Sequence, residues 1–165
     1  MQVRPARPED VDAIVDVHVG SWQAAYEPVF GAERLETIDR EARRRLAERM
    51  IADSGCAVLV AEDEQGRLVG FASGGASRDA DAEAELYSIY VRPEAWGSGA
   101  GPALLHAAAE ALRAGGHREA ILWVLEDNPR ARRFYEREGW RLDGARKVEA
   151  HLGVEVAEVR YRLAL

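Results

Sequence analysis

Gly97, Gly99 and Gly101 place three glycines within five residues, directly after a β-branched and aromatic run from Tyr87 to Val91 and a stop at Pro93. A strand, a glycine-rich turn and a helix are predicted in that order, because Leu104, Leu105, Ala108, Ala111 and Leu112 recur on one helical face before Gly115 and Gly116 end it. The first turn of a helix presents NH groups without internal partners and about half a positive charge, which suits an anion. Glycine lets a phosphate approach, and Pro102 has no NH to lose there. Taken alone, the pattern also fits a tight connection with no ligand.

The residues after the glycines exclude several phosphate chemistries. A P-loop needs a Lys-Ser/Thr pair, and Pro102-Ala103 stand in its place. A dinucleotide-binding turn reads Gly-x-Gly-x-x-Gly in the first strand-helix unit, with an acidic residue closing the next strand. Here the turn lies past mid-chain, runs into Pro102, and Glu119 precedes its strand. His18, His106, His117 and His151 stand in unrelated contexts and none follows a nucleophile elbow, so a covalent acyl-enzyme is not expected.

Val91-Arg92-Pro93 followed by Gly99-Ala100-Gly101 resembles the acetyl-coenzyme A loop of the GCN5-related N-acetyltransferase family, Arg/Gln-x-x-Gly-x-Gly/Ala after a hydrophobic-x-Pro. Trp96 occupies the Arg/Gln position, a departure that removes one polar contact to the pyrophosphate and leaves more to backbone NH groups. The family's second signature is matched by Asn128, Ala131, Phe134, Tyr135, Gly139 and Trp140, in the same order. With the flanking strands the resemblance covers nearly the whole chain. It implies acetyl-coenzyme A as cosubstrate and a cofactor site drawn from Tyr90, Val91, Trp96, Gly97, Gly99, Ala100, Gly101, Asn128 and Phe134; no metal is expected, because the acidic residues 78–85 alternate with alanine and lack a His or a glycine-turned loop. It further implies that Asn128 bonds the pantetheine arm, that Tyr135 protonates the departing thiolate, and that a main-chain NH near Tyr90 or Val91 meets the oxyanion where two strands splay. A homodimer through the closing strands is a further implication.

Acetyl transfer to an amine needs a neutral amine, a stabilised oxyanion and a protonated leaving sulfur. Glu83 and Glu85 lie two apart on a strand, hence on one face, just before the expected thioester site. Glu85 is the first candidate base and Glu83 the second; surface or acceptor-orienting roles are the alternative. The expected reaction is direct attack on acetyl-coenzyme A by a primary amine in a ternary complex, the acceptor being a small amine or a peptide. A non-catalytic acyl-coenzyme A sensor is the rival reading.

The remaining elements are those that must position these residues. Val3 to Ala6 forms a short strand and a helix begins near Pro8, with Trp22 and Tyr26 on one face. Residues 28–34 read as a loop, and a charged helix from about Asp39 to Ala52 turns Leu46 and Met50 inward. Ala57 to Glu62 and Leu68 to Ser73 form an antiparallel pair, and residues 78–85 an acidic linker, either solvated or an acidic mouth for an ammonium substrate. Ala120 to Leu125 is apolar enough to be buried on both faces. Asn128 and Pro129 start a helix that Gly139 ends, and Arg141 to Val148 with Val154 to Leu163 close the chain. The expected fold is α/β (α+β), a mixed, mostly antiparallel sheet of about six to seven strands with helices on both faces.

A length of 165 residues fits one domain with a real core, and 47% hydrophobic with 31% charged residues is ordinary for a globular protein. The N-terminal MQVRPARPED lacks an apolar core, and the single Cys56 cannot form an internal disulfide, so a cytoplasmic protein is expected, with no membrane span. A net charge of −7 argues against nucleic acid as partner and suits a cationic acceptor.

Overall fold

The computed structural model describes residues 1–165. Strand β1 (Gln2–Pro5) and a single 3-10 turn (Pro8–Asp10) lead into α1 (Val11–Phe30), α2 (Ala32–Glu36) and α3 (Arg40–Ala52). There follow β2 (Ala57–Glu62), β3 (Leu68–Ala76), β4 (Ala84–Val91), α4 (Ala100–Ala114), β5 (Glu119–Leu125), α5 (Pro129–Arg137), β6 (Arg141–His151) and β7 (Val154–Ala164). The seven strands form one sheet in the order β1-β2-β3-β4-β5-β7-β6. Every neighbouring pair is antiparallel except β4 and β5, which α4 connects as a crossover. No helix is long and apolar enough to cross a membrane.

Helices cover both faces, as the amphipathic spacing requires. Leu104, Leu105, Ala108 and Leu112 of α4 pack with Val69, Leu86, Leu122 and Tyr161 in one core, which also holds Trp140 and Tyr135. Across the sheet, Val11, Ile14 and Val17 of α1 meet Val60 and Phe71. A third cluster joins Trp22, Tyr26 and Phe30 of α1 to Leu35, Ile38 and Leu125. Gly74 in β3 admits no other residue without movement, since a Cβ there would lie 2.8 Å from the carbonyl oxygen of Glu85. The β3–β4 register shifts at this point, between Ser73 and Gly74.

Two expectations are corrected. Residues 28–34 are not a loop: α1 runs through Pro28 to Phe30, and α2 starts after Gly31 at φ +78°. A proline inside a helix costs roughly 3 kcal/mol, yet burial of a large apolar side chain returns roughly 1.5–3 kcal/mol each, and Phe30 and Leu35 are both buried. Packing therefore outweighs composition. On α3, Leu46 is exposed and the neighbouring Ala47 is the buried residue, packed in one cluster with Val11 and Ile14 of α1 and Val58 and Val60 of β2. Phe30→Ala should lower stability by about 3–5 kcal/mol in urea unfolding, and a loss below about 1 kcal/mol would show that this extension of α1 does not depend on that cluster.

Candidate active site

Strands β4 and β5 pair at only two positions, Ala84 with Ala120 and Glu85 with Ile121, and then diverge. Beyond that fork β4 stays with β3 as far as Val91, and β5 stays with β7 as far as Leu125. Each strand thus has one satisfied edge, and the two facing edges hold backbone groups with no strand partner. A cavity of about 790 Å³ opens there, lined by Tyr87 to Val91 on one side and Leu122 to Leu125 on the other, with Asn128 and Tyr135.

The glycine-rich turn stands beside this opening. Gly99 is the N-cap of α4 at φ +91°, a left-handed conformation that other residues adopt only with strain. The amides of Gly97, Gly99 and Gly101 make no backbone hydrogen bond, and that of Ala100 reaches only Ser98 Oγ at 3.4 Å. Unpaired NH groups at a helix start are the donors a pyrophosphate needs. Ala100 itself is fully buried, and the ring of Phe134 lies where a Cβ on Gly101 would touch it at 3.5 Å. Trp96 is half-exposed; its Nε1 donates to the carbonyl of Val91 at 2.9 Å, and the Arg130 guanidinium lies over its ring at 3.5 Å. The position that a polar residue would fill is instead a surface on which an arginine stacks.

Asn128 caps α5, its Oδ1 accepting from the Ala131 amide at 3.1 Å while its Nδ2 donates to Tyr26 Oη at 3.2 Å. One residue therefore ties α5 to α1 across the cavity. Tyr135 is buried, and burial pushes its phenol well above the ordinary tyrosine range, so it keeps its proton at neutral pH. Tyr90 is shifted the same way for the same reason. His18 stacks on Tyr90 with ring centroids 4.7 Å apart, and burial lowers its imidazole to about 3.

The two candidate bases are separated. Glu85 lines the cavity with only 1% exposure, but both of its oxygens face Arg78, whose Nε lies 3.1 Å away and whose guanidinium also forms the shorter bond. Glu83 does not line the cavity; it receives the Arg118 amide at 2.7 Å and the Arg118 guanidinium at 2.6 Å on the outer surface. The rest of the acidic linker is also engaged, since Asp79 and Asp81 both bind Arg160.

Sequence reading named the closing strands but none of their residues as site residues, and they supply a polar end to the cavity. Lys147, Glu149, His151 and Glu158 all line it. Glu149, His151 and Glu158 bring one ligand atom each within 4.8 Å of one another, and the Lys147 ammonium sits among them, 3.0 Å from Glu149 and 3.8 Å from Glu158. The signal was present as the period-two run Lys147, Glu149, His151, one face of a strand, with Lys147 directly opposite Glu158.

The profile of the acetyltransferase (GNAT) family matches residues 16–140. The chain belongs to the GNAT acetyltransferase family. It is 36% identical over 129 residues to the uncharacterized N-acetyltransferase YuaI of Bacillus subtilis (strain 168), covering 77% of this chain and 73% of that one. The crystal structure of a ribosomal-protein-alanine N-acetyltransferase from Brucella melitensis is similar with a TM-score of 0.80 and 26% identity over the full length of both chains. The fold is shared as well with the PaiA N-acetyltransferase of Thermoplasma acidophilum in complex with coenzyme A, at a TM-score of 0.77, 24% identity and coverage of 99% and 98%.

The glycine turn follows β4, one side of the fork, by way of Val91 and Trp96, which both line the cavity. Gly99→Val would place a β-branched residue at positive φ beside the free amides, and should weaken coenzyme A binding at least about tenfold, since left-handed backbone costs such a residue about 1–2 kcal/mol before any loss of contact. Calorimetry with coenzyme A reads this directly. Undiminished affinity would remove the turn from the binding site.

Proposed function

We propose that this GNAT acetyltransferase uses acetyl-coenzyme A to acetylate a primary amine by direct attack in a ternary complex. The observation that carries the proposal is a single cavity bordered by the open β4–β5 edges, the Tyr135 phenol and the anionic end built by Glu149 and Glu158. The free amides of Gly97, Gly99 and Gly101 would hold the pyrophosphate, with Ala100, Trp96 and Phe134 shaping the turn around them. Asn128 would orient the pantetheine arm, and main-chain NH groups near Tyr90 and Val91 would face the developing oxyanion.

Tyr135 is the proposed proton donor to the departing sulfur. Burial keeps the phenol protonated at neutral pH, so the proton is present, and its tighter hold on that proton means that transfer requires the departing thiolate to be held against the hydroxyl. A donor with no transfer step to serve has no evident use in a coenzyme sensor, which favours catalysis over the sensing alternative. Glu85, tied to Arg78, fits a role in fixing the base of the fork better than a proton-accepting one.

The test is release of free thiol from acetyl-coenzyme A with a panel of polyamines, amino acids, aminoglycosides and short peptides. Turnover dependent on one class of amine is expected and would identify the acceptor; no release with any amine, with coenzyme A binding verified, would overturn the proposal in favour of sensing. With that acceptor, Tyr135→Phe should lower kcat by about 100-fold, within the span typical of general acids, and leave coenzyme A affinity within about twofold. Equal turnover would withdraw the acid role.

A further inference from the structure

We infer that His151, held by Glu158, is the base that removes the proton from the acceptor ammonium. The inference rests on the N-acetyltransferase reading and adds a catalytic residue to it. An alkyl ammonium has a pKa of about 10.4, so at neutral pH the acceptor arrives protonated and has no lone pair for attack. A base must sit in the cavity with a free lone pair. Glu85 faces Arg78 with both oxygens and Glu83 lies outside, bound to Arg118. His18 is packed against Tyr90 with its imidazole lowered to about 3, and a group that weakly basic cannot hold a proton at neutral pH.

His151 meets the requirement by geometry. Its Nε2 lies 2.6 Å from Glu158 Oε1, so the carboxylate holds the hydrogen on Nε2 and leaves the lone pair on Nδ1, which makes no hydrogen bond within the protein. This is the division of labour in a carboxylate–imidazole pair: the acid orients the ring and stabilises the imidazolium, and the other nitrogen moves the proton. Glu158 is buried, so the orienting bond is shielded from water.

The surroundings fit one cation. Lys147 on β6 offsets one of the two charges of Glu149 and Glu158, so one negative charge remains at that end of the cavity, whose lining also includes Arg43. From α1, Trp22 approaches His151 with ring centroids 6.1 Å apart, and Tyr26 is close enough to feel the Glu158 charge. The acceptor of this site is therefore an ammonium.

The step balances. One ammonium proton passes to Nδ1 and then to water; the amine lone pair forms the N–C bond to the acetyl carbon as the C–S bond breaks. A second proton from nitrogen ends on the released thiol through Tyr135, and the third stays on the amide.

The experiment compares wild type, His151→Gln and His151→Ala with an alkyl amine that supports thiol release and with hydroxylamine, a nucleophile already neutral at pH 7. Amine turnover should fall about 100-fold or more in both variants while hydroxylamine turnover and coenzyme A affinity stay within about threefold, the signature of a lost base. Added imidazole should restore amine turnover to His151→Ala. Equal losses with both nucleophiles would reduce His151 to a structural role, and unchanged amine turnover would remove it from the reaction. A wild type that binds coenzyme A but acetylates no amine would instead overturn the N-acetyltransferase reading, and this inference with it.

Discussion

Two backbone pairings, Ala84 with Ala120 and Glu85 with Ile121, are all that join β4 to β5, and the rest of the molecule depends on their stopping there. A parallel pair continued for its full length would have closed the sheet and left no cavity. Divergence is tolerable because each strand keeps one complete partner, β3 for β4 and β7 for β5, so only the facing edges lack a strand partner. Those edges are where an extended ligand can hydrogen-bond as a strand would. Tyr135 and Asn128 reach the same opening because α5 starts immediately after β5 ends.

The closed end of the fork is fastened by side chains. Arg160 on β7 is buried and binds Asp79 and Asp81 from the linker before β4 together with Asp143 on β6, while Asp79 also accepts from Trp123 Nε1 on β5 at 2.9 Å. Glu85 and Arg78 add a pair at the last joined residue. The linker's negative charge is consumed in holding strands together, and the anionic character of the cavity comes from the opposite end, on β6 and β7. A buried arginine with three carboxylates is sensitive to loss of any one charge, since an unpaired buried ion is far more costly than the pair is stabilising.

Most of the fold was legible because its signals are local. The apolar face of α4, the cap at Asn128 with Pro129 behind it, and the apolar run of β5 each specify an element within a few residues. Reading failed where tertiary packing overrode composition, at Pro28 and Gly31, whose neighbours Phe30 and Leu35 are drawn into the cluster around Trp22. It failed again at Leu46, because a charged helix with few apolar residues does not fix its own rotation.

The sequence by itself determined the family-bearing pieces, the glycine turn at a helix start and the Asn128-to-Tyr135 helix, since backbone conformation and capping are decided by adjacent residue types. The strand read as Arg141 to Val148 runs on to His151 in the structure, and only that extension sets Glu149 and His151 on the face of Lys147. Only the tertiary structure decided which carboxylates are free. Glu83 and Glu85 are neutralised by Arg118 and Arg78, and Glu158 meets His151 only because β6 and β7 pair in one register and pack their hairpin against α1. Charge neutralisation and hydrogen-bond partnership are set by distance between side chains, and residues far apart in the chain acquire that distance only when the sheet forms.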